Sequence, residues 1–181
     1  MSPLILGLDL GTSSVKGILL SSDGVVAAQA LEGLETAFPR PGHAEQSPDA
    51  WHLATTRVVQ DLQRQVPTAD DRVAAIGVCG AAHVPILLDE FQRPLRPAIL
   101  WTDQRSAREA EELRARHGDE LLRTALNGAS PTWTLPQLMW LQRNEPDVHQ
   151  NIRHLLIGKD AVVHRLTGRL VTDSGSAASS P

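Results

Sequence analysis

The sequence contains very little cysteine and very little lysine. Cys79 is the single cysteine among 181 residues, which excludes a disulfide within the chain and a thiolate-rich metal site. Of the 17 cationic residues, only Lys16 and Lys159 are lysines. We interpret this preference for arginine as a bias of the genome rather than a sign of particular chemistry.

An excess of positive charge and a long apolar run are also missing. The formal net charge is -4, whereas a nucleic-acid-binding surface is normally basic. The first apolar run, 4–8, is interrupted by Asp9 and has no basic segment before it, so it is neither a signal peptide nor a membrane span. We therefore expect a soluble, cytoplasmic protein that binds neither nucleic acid nor a membrane.

What is present is the composition of a globular domain, with 41% apolar and 21% charged residues. Strand-like segments at 4–10, 15–20 and 25–30 predict an antiparallel meander, because Asp-Gly within "SDG" is a strong hairpin signal. A helix is predicted to follow Ser47-Pro48 and to end before Pro67. Its buried face is expected to consist of Trp51, Ala54, Val58, Leu62 and Val66.

The second half of the chain predicts a mixture of short strands and helices. Residues 73–80 have strand character, and 84–88 with 97–101 suggest another hairpin. The segment "RSAREAEELRARHG" predicts a charged helix ended by Gly118, and Thr134 with Gln137 suggests a capping box. A last helix is expected over 159–167, before Gly168. The tail "SGSAASSP" has no apolar closing element, so we expect a chain that has been cut.

The turn after the first strand, "DLGTSS", contains groups that suit a phosphate. Gly11 lets backbone N–H groups point at an anion, and Thr12, Ser13 and Ser14 add hydroxyl donors. Asp9 could hold Mg²⁺ directly or through water, and Lys16 could add positive charge. The spacing is not that of a P-loop. The alternative is a polar hairpin turn with no ligand.

Four segments extend this interpretation: "DLGTSSVKGILLSSDGVVAAQ", "PGHAEQSPDAW", "PAILWTDQR" and "LTGRLVTD" occur in this order. Together they resemble the FGGY family of carbohydrate kinases, most closely its xylulokinases, from about residue 4 to residue 175. The resemblance implies an α/β fold of the ribonuclease-H-like, actin/hexokinase type. It also implies ATP and Mg²⁺ as cofactors, with the Asp9 to Ser14 turn near the nucleotide phosphates.

The sugar-binding side of this resemblance departs from the family pattern. Xylulokinases carry Gly-Gln-Met-His-Gly, whereas this chain has "GAAHV" at 80–84. His83 stands where the family histidine stands, and Ala82 replaces the methionine, so the resemblance implies substrate contacts at both positions. Loss of the larger side chains would admit a larger or different substrate. The alternative is a structural histidine.

A second set of candidate sugar ligands lies in the segment "WTDQR". Asp103 and Arg105 could bind hydroxyls, and Trp101 could pack against the C–H face of a sugar. The alternative is a helix start with Asp103 as a cap and Trp101 in the core. For Trp101 we favour the core, and we also expect Trp133 and Trp140 to be packing residues.

The resemblance also defines what the chain lacks. It places the general base, an aspartate in a later glycine-rich segment, outside this sequence, together with the nucleotide domain. Residues 1–181 would therefore be an N-terminal kinase domain that stops before its last strand. We expect the parent protein to phosphorylate a ketopentose or polyol, with xylulose as the first candidate, and the isolated chain to be inactive. A noncatalytic sugar- or nucleotide-binding fragment, a regulatory actin-like module and a homodimer remain open.

Overall fold

Three antiparallel strands open the structure, as the sequence predicts. They are β1 (Leu4–Leu10), β2 (Ser14–Ser21) and β3 (Val26–Gly33). The second connection is a tight turn in which Ser21 N donates to Val25 O, and Gly24 has a φ of 85°, which favours glycine. The computed structural model of the protein describes residues 2–178.

The remaining elements follow in chain order. The strands are β4 (Glu45–Gln46), β5 (Val73–Gly80), β6 (Pro85–Leu88), β7 (Ala98–Ile99) and β8 (His154–Ile157). The helices are α1 (Pro48–Gln65), α2 (Ala107–Thr124), α3 (Thr134–Asn144), α4 (Pro146–Asn151), α5 (Gly158–Thr167) and α6 (Ser174–Ala178). None of these helices within residues 2–178 is long and apolar enough to cross a membrane.

The main sheet has the order β3-β2-β1-β5, in which β5 is parallel to β1. One face of this sheet is covered by α1, whose buried side chains include Trp51, Ala54, Val58 and Leu62 as predicted. Ser47 stands at the N-cap position, although its hydroxyl makes no capping hydrogen bond. The helix can approach β2 closely because Gly17 lies beneath Val58 and Leu62.

The predicted hairpin between 84–88 and 97–101 is wrong. Strand β6 pairs with β8 instead, and β7 pairs with β4. Residues 89–93 do form a tight turn, in which Asp89 accepts hydrogen bonds from the backbone of Phe91 and Arg93. The four residues of β6 are all buried, so the strand has no apolar and polar alternation that would indicate its partner. Its partner is a segment about 70 residues away.

Two predicted helix signals are also wrong. Helix α2 continues through Gly118 to Thr124, since a glycine costs a helix only about 1 kcal/mol and good helix formers follow it. The capping box at Thr134 is absent: Trp133 is the N-cap, and Gln137 Nε2 donates to Thr132 O. The end of α5 at Gly168 is confirmed, because Gly168 has a φ of 71°.

Candidate functional site

The turn between β1 and β2 is held by its backbone. Gly11 N donates to Ser14 O at 3.0 Å, and the Gln46 amide donates to Thr12 O at 2.6 Å. Leu34 N donates to Ser13 O at 2.9 Å. In the part of the chain that the structure describes, the hydroxyls of Thr12, Ser13 and Ser14 make no hydrogen bond. The turn is therefore fixed through carbonyl oxygens. The hydroxyls of Thr12 and Ser13 remain accessible to a ligand, whereas Ser14 is buried.

Asp9 lies beside this turn on the face of the sheet that α1 does not cover. It is directly opposite Lys16 on β2 and Cys79 on β5. The Cys79 thiol donates to Asp9 Oδ1 at 3.6 Å. Burial, and then the negative charge of Asp9, raise the pKa of the Cys79 thiol, so that it stays protonated at neutral pH.

The metal-binding capacity of this region depends on Asp9. Within residues 2–178, no group of three or more His, Cys, Asp or Glu side chains could enclose a metal ion. A magnesium ion commonly takes one or two carboxylates, with water and substrate phosphate completing its shell. A partly exposed Asp9 next to free hydroxyls fits that arrangement, in which the ligand supplies most of the coordination.

His83 occupies a strained position shortly after β5. Its φ of 55° lies in the left-handed region, which side chains other than glycine rarely adopt. The imidazole ring stacks on Trp133, with ring centroids 5.6 Å apart and an interplanar angle of 10°. Burial lowers the pKa of His83, so the ring is neutral at pH 7. Its buried Nδ1 has no hydrogen-bond partner among the described residues, and strain with an unpaired buried nitrogen is typical of a functional position.

The stack explains what sequence reasoning missed about Trp133. Its predicted packing role is confirmed, because Trp133 is 5% exposed. The sequence did not show that it packs on His83, because the two residues lie 50 positions apart and no local pattern links them. Ala82, the other predicted substrate contact in this segment, is exposed beside His83.

The segment 101–105 divides into an exposed residue and a buried ion pair. Trp101 is 47% exposed, so the prediction that it lies in the core is wrong; β7 ends at Ile99, and the chain then turns outward. The side chains of Asp103 and Arg105 are each 1% exposed. Arg105 donates to both carboxylate oxygens of Asp103, at 2.9 and 2.8 Å, and also forms an ion pair with Glu45 at 2.7 Å.

This ion pair connects three parts of the chain. Asp103 Oδ2 accepts a hydrogen bond from Ala44 N at 2.6 Å, and Arg96 links Glu45 to Glu145. Ser106, not Asp103, is the N-cap of α2. The polar atoms of Asp103 and Arg105 are therefore engaged within the protein, and their sugar-binding role stays a prediction, as does that of Trp101.

Lys159 is a second residue that sequence reasoning missed. A Cβ placed on Gly80 would lie 3.3 Å from Lys159 Cβ, so this lysine flanks the end of β5. Its ammonium contacts Asp160 at 2.5 Å and Asp173 at 2.6 Å. Burial lowers the pKa of Lys159, but these hydrogen bonds raise it overall. The scarcity of lysine was the available signal, since both lysines flank the candidate site.

Comparisons with known proteins agree with this geometry. The sequence model for the N-terminal domain of the FGGY family of carbohydrate kinases matches residues 4–181. Xylulose kinase of Escherichia coli (strain K12) is 42% identical over 175 residues, which are 97% of this chain and 36% of that protein. The chain thus spans little more than a third of the length of this relative.

Solved structures give the same result for the fold. A xyloylose kinase from Brucella ovis superposes with a TM-score of 0.94 at 37% identity, over 98% of this chain and 37% of that one. A gluconate kinase from Lactobacillus acidophilus superposes with a TM-score of 0.92 at 26% identity, over 99% of this chain and 36% of that one. The actin/hexokinase-type fold expected from the motifs is confirmed.

Proposed function

The chain belongs to the FGGY family of carbohydrate kinases, and we propose that the protein containing it transfers the γ-phosphoryl group of ATP to a hydroxyl of a ketopentose or related polyol. The observation that carries the proposal is the turn after β1, whose carbonyl oxygens accept hydrogen bonds within the protein while the hydroxyls of Thr12 and Ser13 make none and Asp9 is partly exposed. Xylulose is the first candidate substrate, because two relatives that are 42% and 38% identical to this chain, from Escherichia coli and Klebsiella pneumoniae, are xylulose kinases.

The residues of the turn would bind and orient the phosphates. Backbone N–H groups and the hydroxyls of Thr12 and Ser13 donate to phosphate oxygens, and Lys16 adds positive charge on the same face. Asp9 would hold Mg²⁺ directly or through water. The metal, when bound, offsets negative charge on the transferring phosphoryl group.

The sugar would bind beside His83. A neutral imidazole can donate a hydrogen bond from one ring nitrogen and accept one at the other, which suits a hydroxyl group. Its stacking on Trp133 fixes the plane of the ring. The small side chain of Ala82 leaves space next to the histidine, so gluconate, ribulose and other polyols are reasonable competitors of xylulose.

The isolated 181-residue chain is proposed to be inactive. It spans 36% of the E. coli enzyme, and the resemblance to the family implies that the aspartate acting as general base lies outside these residues. A second candidate function is therefore noncatalytic binding of sugar or nucleotide, which is favoured by a phosphate turn and a strained His83 that are both already formed.

Sugar-dependent ADP formation by the complete protein tests the proposal. We expect xylulose to give the highest kcat/KM in a panel of ketoses, aldonates and glycerol. Asp9→Asn should lower kcat by about 100-fold, since it removes the carboxylate that we propose orients metal and phosphate at this turn. Asp119→Asn on the exposed surface of α2 is the matched control. No stimulation by any sugar, or an Asp9 variant as active as the control, would overturn the proposal.

A further inference from the structure

Trp133 is the side chain on which the candidate sugar-binding histidine stacks. We propose that Trp133 is a positioning residue, which holds the His83 imidazole in the orientation that binds a sugar hydroxyl, and that Ser106 fixes Trp133 through the turn that precedes it. This inference rests on the proposed function, because it concerns the sugar side of that site. It also gives the segment 101–106 a role that does not require contact with the sugar.

The backbone of His83 needs support from its surroundings. Its φ of 55° lies in the left-handed region, and a residue other than glycine keeps such a conformation only where neighbouring groups hold it there. Within residues 2–178, His83 makes no hydrogen bond and no ion pair. The next residue, Val84, is 1% exposed and anchors the chain on one side. The stack on Trp133 is therefore the directional contact that sets the plane of the ring.

The geometry of the stack limits how the imidazole can tilt. The two rings are nearly parallel, at 10°, and their centroids are 5.6 Å apart, which is an offset arrangement that aromatic pairs favour. The indole closes one face of the imidazole and leaves the ring edge, where the nitrogen atoms lie, for hydrogen bonding. A hydrogen bond weakens steeply when its angle is lost, so a tilted ring would bind the same hydroxyl poorly.

Trp133 is itself held in place on both sides. It is 5% exposed and stands at the N-cap of α3. Its backbone N–H donates to Ser130 O at 3.0 Å, and its carbonyl oxygen accepts from Gln137 N at 3.3 Å. Gln137 is 0% exposed, and its side-chain amide donates to Thr132 O at 3.4 Å. Because the backbone around the indole is fixed, the ring can act as a rigid support for His83.

Ser106 connects this turn to the segment 101–106. It is the N-cap of α2, but its hydroxyl makes no capping hydrogen bond. The hydroxyl donates instead to Pro131 O at 2.6 Å. Ser106 is 0% exposed, so water does not compete for this hydrogen bond. The bond fixes a carbonyl group two residues before Trp133 and so fixes the start of α3.

The neighbouring Arg105 contacts α3 at a second point. Its guanidinium lies over the ring of Trp140, 5.1 Å from the ring centroid. Arg105 is itself held by its ion pairs with Asp103 and Glu45. The buried ion pair and Ser106 together therefore hold both the turn before α3 and the helix itself. Through these contacts, buried side chains of the segment can affect the sugar side without touching the sugar.

Steady-state kinetics of the complete protein test the inference. Trp133→Ala should raise KM for xylulose about tenfold, as expected for the loss of one hydrogen bond between neutral groups, and should leave KM for ATP unchanged. Trp133→Phe keeps a flat ring against the imidazole, so its KM for xylulose should stay within about threefold of wild type. Phe91→Ala is the matched control, because Phe91 is an aromatic residue that is 67% exposed, and it should have no effect.

A double-mutant cycle separates positioning from a general loss of packing. If Trp133 acts through His83, Trp133→Ala should raise KM for xylulose little further once residue 83 is already alanine. Ser106→Ala should raise this KM about threefold and should show the same dependence on His83. Ser47→Ala is the control for the serine, because Ser47 is also an N-cap whose hydroxyl makes no capping hydrogen bond.

A chemical measurement that needs no turnover tests the stack itself. Diethyl pyrocarbonate at pH 7 modifies accessible histidines, and mass spectrometry identifies the modified residue. Trp133→Ala should make His83 react several-fold faster than in wild type, since the indole no longer covers one face of the ring. The rate in Phe91→Ala should be that of wild type.

Three results would overturn the inference: an unchanged KM for xylulose in Trp133→Ala, additive effects of Trp133→Ala and His83→Ala, or an unchanged modification rate of His83. Circular dichroism checks that each variant is folded, and Ser106→Ala carries the test if Trp133→Ala does not fold. If no sugar stimulates ADP formation by the unsubstituted complete protein, the proposed function fails. The modification rates would still decide whether Trp133 holds His83.

Discussion

Substitution of Gly17 by alanine tests the packing of α1 on the sheet. The added Cβ would overlap Val58 Cγ1, and it would lie 3.0 Å from Leu62 Cδ1 and 3.5 Å from Leu8 Cδ2. Overpacking of this kind costs about 1–3 kcal/mol. The loss of glycine flexibility in the unfolded chain offsets roughly 0.5–1 kcal/mol of that cost.

The two ranges leave a net loss of stability of up to about 2.5 kcal/mol, and each kcal/mol lowers Tm of a domain of this size by roughly 2–4 °C. Thermal unfolding followed by circular dichroism measures this shift. Gly77→Ala is the matched control, because its Cβ would meet nothing within 4 Å, and its Tm should be unchanged or slightly higher. The pair separates steric overlap from the general effect of removing a glycine.

A double substitution tests whether overlap with Val58 causes the loss of stability. In Gly17→Ala/Val58→Ala the shortened side chain gives the new methyl group space, so the combined loss should be smaller than the sum of the two single losses. An additive double variant would refute the overlap with Val58 as the cause. Equal Tm values for Gly17→Ala and Gly77→Ala would refute the close approach of α1 altogether.

Three further predictions concern charges near the site. Burial, the negative charge of Asp9 and the hydrogen bond to Asp9 all raise the pKa of Cys79. Asp9→Asn removes the charge, so alkylation of the thiol at pH 8 should become several-fold faster; an unchanged rate would mean that this charge does not contribute to the raised pKa. Lys159 holds the pKa of Asp173 far below its usual range, and the exposed Asp173 stabilises the fold only while ionised. The Tm difference between wild type and Lys159→Met should therefore be constant from pH 5 to 8 and shrink below about pH 4; a difference that grows in acid would contradict this. His83→Ala in the complete enzyme should raise KM for the sugar far more than KM for ATP, and equal effects would show a structural histidine.

The parts of the fold that sequence could predict are those set by local pattern. The meander, α1 and the end of α5 follow from alternation, helical spacing and glycine turns. The pairing of β6 with β8 could not be predicted, because the two strands are about 70 residues apart and are apolar without alternation. Gly118 gave a wrong prediction although the signal was local. A helix tolerates one glycine when its other residues favour helix, so α2 continues past it.

In the candidate site, too, local features could be predicted and contacts between distant residues could not. The turn that we propose to bind phosphate lies within six consecutive residues, so the residue types on which the proposal depends are visible in the sequence. The stack of His83 on Trp133 joins positions 50 residues apart, and the contacts of Lys159 depend on where β5 ends. Such contacts form when distant segments pack together, so the residue spacing within one segment does not predict them.

The segment 101–105 shows which contacts of a charged motif composition alone does not reveal. Asp103 and Arg105 are residue types that bind hydroxyl groups, but burial directs them toward each other and toward Glu45. Breaking one partner of such a buried pair leaves an unpaired charge, which is far more costly than losing an exposed pair.

That ion pair is nevertheless physically connected to the turn between β1 and β2. Arg105 binds Glu45, and the next residue, Gln46, donates its amide to Thr12 O while accepting a hydrogen bond from the Trp51 indole. A short contact path therefore runs from the motif through β4 to the turn. Because Gln46 is buried and has both ends of its amide bonded, displacement of β4 would displace Thr12 with it. The motif and the turn, which are about 90 residues apart in the sequence, are parts of one hydrogen-bonded structure.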